Sequence, residues 1–213
     1  MEKKIVVFAS GEGTNFQAII DAVRYGSIRA KIEALITDRP LCGAINRAKT
    51  SGIPVLVVRK KGVSEERFCE ELLRILEQIS PDLIVLAGYL KIIPQRVVES
   101  FRYRIINLHP SLLPCFGGAG MFGMRVHEAV IGSGARFSGC TVHFVDNSVD
   151  GGPIIGQSVV GVDDSDTPES LSEKIHPKEH ELLVKCVNLV LSGQFTVVGK
   201  RVIWKSGKEV SPH

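Results

Sequence analysis

The sequence predicts an α/β fold: a doubly wound, mostly parallel sheet with helices on both faces and an antiparallel extension in its C-terminal half. Two features of the first half carry this reading. Short β-branched runs alternate with segments of helical period, the succession that joins parallel strands through crossover helices. Most of those runs are almost wholly apolar, as strands covered on both faces must be. In the second half the pattern changes to two adjacent runs linked by a short loop, which reads as an antiparallel pair.

Taken in order, strands are expected at residues 4–9, 31–37, 54–58, 82–87 and 104–108. After the first, Phe16, Ile19, Ile20 and Val23 recur at i, i+3, i+4 and i+7 and form one apolar helix stripe, with Thr14 or Asn15 as its cap. A helix after Ser64 has Glu65 and Glu66 in its first turn and Phe68, Leu72, Ile75, Leu76 and Ile79 on one face, and Ser80-Pro81 ends it. Gly132-Ser133-Gly134 and Gly151-Gly152-Pro153 read as turns. Strands at 139–145 and 154–160 flank the loop 146–153. The last helix begins at Thr167, its N-cap, with Pro168 at the first helical position. Pro177 lies inside it, removes a backbone donor and predicts a kink. Residues 196–204 read as a terminal hairpin.

Composition narrows the function classes. A chain of 213 residues with 44% hydrophobic and 23% charged residues has the content of one globular domain, 1–213. Lys plus Arg number 26 against 23 for Asp plus Glu, a net charge of +3, so nothing marks a nucleic-acid or membrane surface. The most apolar window, 83–90, is far below the roughly 20 residues that span a bilayer. The apolar run 5–9 is too short for a signal peptide. Five cysteines with no CxxC pair argue against a disulfide framework or a zinc knuckle, and a reducing cytoplasm is expected.

Three places could carry chemistry. The turn Ser10-Gly11-Glu12-Gly13-Thr14-Asn15 stands between the first strand and first helix, where free N–H groups and the helix dipole favour an anion. Asp38 follows the second strand as a ribose-binding acid would, yet Phe16 fills the third glycine position of the dinucleotide fingerprint and disfavours a nicotinamide-dependent oxidoreductase. A tight turn without a ligand fits the same glycines. In Ile105-Ile106-Asn107-Leu108-His109-Pro110, alternation puts Asn107 and His109 on one side at a strand's carboxyl end, where open α/β sheets bind ligands. An amide able to donate to an oxyanion beside an imidazole points to acyl-type chemistry. The third place is the loop 146–153, where Asp150 is the candidate carboxylate to support His109 and Asp146 competes for the role on composition alone; taken by itself, Asp150 before Gly151 reads first as a turn-forming aspartate. His127, His143, His176 and His180 raise a metal hypothesis, but no H-E-x-x-H pattern exists and Pro177 disturbs the His176–His180 spacing. No metal is expected.

Together these residues resemble a known family. Ser10-Gly11-x-Gly13-Thr14-Asn15-Phe16-Gln17-Ala18, Ala87-Gly88-Tyr89-Leu90-Lys91-Ile92, Asn107-Leu108-His109-Pro110-Ser111-Leu112-Leu113-Pro114, Thr141-Val142-His143-Phe144-Val145-Asp146 and Asp150-Gly151-Gly152-Pro153-Ile154 occur in the order seen in the phosphoribosylglycinamide formyltransferases, folate-dependent enzymes of purine synthesis. The resemblance implies transfer of a formyl group from 10-formyltetrahydrofolate, a cosubstrate, to glycinamide ribonucleotide without a metal. It implies Asn107, His109 and Asp150 as catalytic residues, and so favours Asp150 over Asp146. It implies Gly11, Gly13, Thr14 and Asn15 at the substrate phosphate and Glu179 at the ribose. Leu86, Leu90, Lys91, Ile92 and Ile93, with Asp146, Asn147, Ser148, Val149 and Asp150, would line the folate site. Residues 1–100 would then be the ribonucleotide-binding half and 101–213 the catalytic and folate-binding half, in a monomer or homodimer.

The chain departs from the family pattern at three places. Residues 115–123 are longer and richer in glycine than the usual Phe-Pro-Gly turn and are expected to form a mobile flap over the site. Glu65 stands where many members carry a substrate-binding arginine, and His176-Pro177 precedes Glu179. The nearest alternative is a formyltetrahydrofolate hydrolase, in which the same trio directs water. Such hydrolases carry an added N-terminal domain, and the related methionyl-transfer-RNA formyltransferases an added C-terminal one, for which 213 residues are expected to leave no room. A non-catalytic nucleotide-binding module would not need the trio.

Overall fold

The computed structural model describes residues 2–205, and the chain divides into two compact units, Met1–Ile106 and Asn107–His213. The first unit contains β1 (Lys3–Phe8), α1 (Thr14–Arg24), β2 (Ala30–Thr37), α2 (Gly43–Thr50), β3 (Val55–Val57), α3 (Glu65–Ile79), β4 (Leu83–Leu86) and α4 (Gln95–Ser100). Its strands run in the order β3-β2-β1-β4, all parallel. The order reverses at β1, so the chain leaving β1 enters the crevice where doubly wound sheets place ligands. Ile5, Val6, Val7 and Phe8 are fully buried, as are Phe16 and Ile19 of α1 and Phe68, Leu72 and Leu76 of α3. The periodic stripes read from the sequence are therefore the faces that cover the sheet. Ser64 caps α3 by accepting the Arg67 N–H at 3.2 Å.

The start of α1 differs from expectation. Neither Thr14 nor Asn15 caps it; Gly13 is the N-cap, left-handed at φ 75°, and Thr14 is the first helical residue. Gly13 is required on two counts. A side chain would be strained at that φ, and its Cβ would lie 2.8 Å from the Ala44 Cβ.

β5 (Ile105–His109) begins at the end of the first unit, where Ile84 N–H bonds the Arg104 carbonyl at 2.8 Å, and delivers Asn107, Leu108 and His109 into the second. The second unit continues with α5 (Met124–Ser133), β6 (Phe137–Phe144), β7 (Ile154–Gly161), α6 (Pro168–Leu191), β8 (Phe195–Val198) and β9 (Arg201–Trp204). β6 and β7 are antiparallel, β9 joins β7 in parallel at Ile154, and β8 closes the terminal hairpin against β9. Gly132 and Ser133 belong to the last turn of α5, and the turn itself falls on Gly134, left-handed at φ 72°. α6 keeps its Thr167 cap and remains helical through Pro177 to Leu191. Its buried face includes Leu171, Ile175, Leu182, Cys186 and Val190, the residues of the predicted stripe.

Candidate active site

At the carboxyl end of β5, Asn107 and His109 emerge on one side of the strand while Leu108 is buried opposite. His109 is 3% exposed. Its Nε2 lies 2.9 Å from the Phe116 carbonyl oxygen, so Nε2 carries a proton and donates it. Its Nδ1 lies 3.6 Å from Asp150 Oδ2. The structure thus separates the two competing acids. Asp150 reaches His109, whereas Asp146 accepts the Ser148 N–H at 2.9 Å, also receives the Ser148 hydroxyl, and pairs with Lys200 at 3.5 Å. Burial alone would raise the Asp146 carboxyl, but Ser148 and Lys200 hold it below the usual carboxylate range. Asp146 organises the loop.

Asp150 holds a left-handed backbone at φ 54° in the turn after β6. Aspartate tolerates that region better than most residues. Its Oδ2 also accepts the Gly118 N–H at 3.0 Å. Next to it, Gly152 packs its Cα against the Phe144 carbonyl so closely that any Cβ would collide, which accounts for one glycine of the Asp-Gly-Gly-Pro motif. The 115–123 stretch, expected to form a flap, meets the trio through these backbone contacts from Phe116 and Gly118.

His143 is a participant that the sequence reading weighed only as a metal ligand. It is 2% exposed, and its Nδ1–H donates to the Phe144 carbonyl at 2.9 Å. Burial pushes its pKa down, so the ring is neutral and Nε2 presents a lone pair. Asn107 Nδ2 donates to that lone pair at 3.2 Å, which fixes the side-chain amide and leaves its second N–H for another acceptor. Asp150 Oδ1 lies 3.8 Å from the same nitrogen. The available signal was period two: Thr141 and His143 project from the same face of β6. Thr141 is fully buried, donates to the Ser111 carbonyl at 2.6 Å and accepts the Leu113 N–H at 3.0 Å. Gln157 of β7 adds a bond to the Leu113 carbonyl at 2.9 Å, and Ser111 Oγ bonds the Cys115 carbonyl at 2.7 Å. The segment after His109 is therefore pinned to β6 and β7 rather than left as a free loop.

In the first unit, Gly11, Gly13, Thr14 and Asn15 form the turn at the N-terminus of α1, whose first turn has no side-chain cap at Gly13. Behind it Ser10 Oγ donates to Asp38 Oδ1 at 2.5 Å and accepts the Leu90 N–H at 3.0 Å, and Lys91 Nζ stands 3.9 Å from Asp38 Oδ2. Of the segment expected to meet folate, Leu86 and Ile93 are buried, while Leu90, Lys91 and Ile92 are exposed. Asn147, Ser148 and Val149 are exposed in the second unit. Glu179 is 5% exposed on α6, close enough to Cys140 to help burial push that thiol up to about 12. Glu65 pairs with Lys60 at 3.1 Å. Among the described residues no cluster of three His, Cys, Asp or Glu side chains is arranged to hold a metal, and no helix is long and apolar enough to cross a membrane.

A strand-end amide and imidazole backed by a carboxylate are groups that acyl-transfer chemistry can use. The family model described as formyl transferase matches residues 3–187, and the chain belongs to that family. It is 44% identical over 190 residues to the chloroplastic phosphoribosylglycinamide formyltransferase of Arabidopsis thaliana, an alignment covering 88% of this chain and 65% of that protein. The chain thus spans slightly less than two thirds of that relative. It is 36% identical to the phosphoribosylglycinamide formyltransferase of Bacillus subtilis, over 84% of this chain and 90% of that one. The crystal structure of glycinamide ribonucleotide transformylase 1 from Symbiobacterium toebii superposes with a TM-score of 0.89 at 35% identity, covering 95% of this chain and 94% of that one.

Proposed function

We propose that the protein transfers the formyl group of 10-formyltetrahydrofolate to the primary amine of glycinamide ribonucleotide in purine synthesis. The observation that carries this reading is the convergence of Asn107, His109 and Asp150 at one end of β5, with His109 Nε2 in the donor form and one Asn107 N–H uncommitted to His143. The names of the relatives support the same substrates.

In this reading the amine lone pair attacks the formyl carbon and the carbonyl electrons move to oxygen. The free Asn107 Nδ2–H donates to that oxyanion, and the His109 Nε2–H joins it by exchanging the Phe116 carbonyl oxygen for the substrate oxygen; preorganised donors in a water-poor site stabilise such a charge most strongly. Asp150 steadies the protonated imidazole and orders a water that carries the amine proton to the departing folate nitrogen, and collapse of the tetrahedral species breaks the carbon–nitrogen bond to folate. Gly11, Gly13, Thr14 and Asn15 hold the ribonucleotide phosphate on the N-terminus of α1. Within the first unit, Leu86 and Ile93 offer apolar walls to the pterin, with Leu90 to Ile92 as further lining. The chain works as one formyltransferase domain in the cytoplasm, consistent with its five unpaired cysteines.

The test is folate absorbance after mixing protein and 10-formyltetrahydrofolate with and without glycinamide ribonucleotide, in a chelator. Deformylation that requires the ribonucleotide is expected, and His109→Ala should lower kcat by roughly three orders of magnitude at unchanged folding. Deformylation without the ribonucleotide would mean a hydrolase, and near-normal turnover of His109→Ala would refute the assigned role.

A further inference from the structure

The turn 10–15 is held from behind by α2, and the bonds involved are specific. For the N–H groups of a turn to face an anion, its carbonyls must point away and find donors there. Gly11 O receives the Ala44 N–H at 3.1 Å, and Gly13 O receives the Gln17 N–H at 2.9 Å as the first bond of α1. The carbonyl between them, Glu12 O, is bonded by a side chain: Arg47 Nε–H at 2.7 Å. The Glu12–Gly13 peptide is the one most able to rotate, because Gly13 at φ 75° tolerates either hand.

Arg47 is itself aimed. Its Nη1–H donates to Gln17 Oε1 at 3.2 Å, and Gln17 Nε2–H donates to Asp21 Oδ1 at 2.9 Å, so the guanidinium lies in a rail of side chains along α1. The planar fork supplies Nε to the turn and Nη1 to the rail at once, a geometry that an ammonium on a flexible stem does not reproduce. We infer that Arg47 is the positioning residue for anion binding at this turn, locking the Glu12 peptide so that the turn's N–H groups face the phosphate of the substrate. The inference rests on the phosphate assignment proposed above. Nothing in the sequence pattern marks Arg47, which reads as one basic residue among many at the end of a short helix.

The test compares wild type with Arg47→Lys, which keeps the charge, Arg47→Gln, which removes it, and Gln17→Ala, which removes the rail. Binding of inorganic phosphate is followed by calorimetry, and steady-state kinetics are run with both substrates. Arg47→Lys and Arg47→Gln should each weaken phosphate binding and raise KM for the ribonucleotide about tenfold, the loss of one charge-assisted bond, while kcat and KM for formyl-folate stay within about twofold. Gln17→Ala should shift the same two quantities in the same direction by a smaller factor.

A wild-type response in Arg47→Lys would show that charge alone matters and overturn the positioning role. An equal rise in both KM values, or a fall in melting temperature that accounts for the loss, would overturn it too. Wild type that binds no phosphate would overturn the turn assignment and this inference together. Wild type that binds phosphate but transfers no formyl group would overturn only the function, because the Arg47 comparison on phosphate binding is decided without turnover.

Discussion

His143 commits its Nδ1–H to the Phe144 carbonyl, and burial keeps the ring neutral, so the lone pair on Nε2 dictates which way the Asn107 amide faces. A free asparagine side chain would flip between its N and O ends. Here the flip would set Oδ1 against a lone pair, and the amide would oppose an oxyanion instead of stabilising it. His143→Ala is therefore expected to lower kcat at least about tenfold with KM little changed, less than the hundredfold or more that follows loss of an oxyanion donor outright. Steady-state kinetics check this, and an unchanged kcat would mean that Asn107 keeps its orientation unaided. Both Asn107 and His109 are legible in the sequence because strand alternation and the following proline place them. His143 is not, since its role depends on which strand lies beside β5.

Among the elements, α6 shows how local chemistry fixes a boundary. Thr167 Oγ1 accepts the Ser170 N–H at 3.2 Å while Ser170 Oγ accepts the Thr167 N–H at 3.0 Å, and Pro168 at the first helical position leaves no donor wasted. Thr167→Ala should cost about 1 kcal/mol and lower the melting temperature by a few degrees, measurable by calorimetry without change in kcat. α1 shows the reverse case. Thr14 is a sound N-cap by composition, yet the helix starts one residue earlier in the capping sense, because Ala44 crowds the backbone of Gly13 and Arg47 holds Glu12. A residue distant in sequence decides where α1 begins, so no local rule could have found it.

At the scale of the whole molecule, buried neutral histidines couple folding to pH. His127 is 3% exposed, its Nδ1 has no hydrogen-bond partner among the described residues, and burial, with His176 and His109 adding repulsion, pushes its pKa down to about 4 from 6.5. The depressed value means the unfolded chain binds a proton between pH 6.5 and 4 that the folded protein refuses. Stability is therefore full above pH 6.5, falls as pH drops through that window, and loses no more from this group below about 4. The contribution is on the order of 3 kcal/mol, and His143 acts in the same sense. Urea unfolding between pH 4 and 7 should show this slope, and His127→Gln should flatten it. An identical slope in the variant would assign the acid sensitivity elsewhere.

By itself the sequence determined the fold class, the order of its strands and main helices, the family, and the residues at the end of β5. These follow from periodicity, turn chemistry and motif spacing, which are written along the chain. Only the tertiary structure decided that Asp146 turns to Ser148 and Lys200 while Asp150 meets His109, that His143 orients Asn107, that Gly13 caps α1, and that Arg47 braces the Glu12 peptide. Each of those depends on a hydrogen bond or close contact across tens of residues or on the exact path of a turn. Burial and direction decide such contacts, and a one-dimensional pattern records neither.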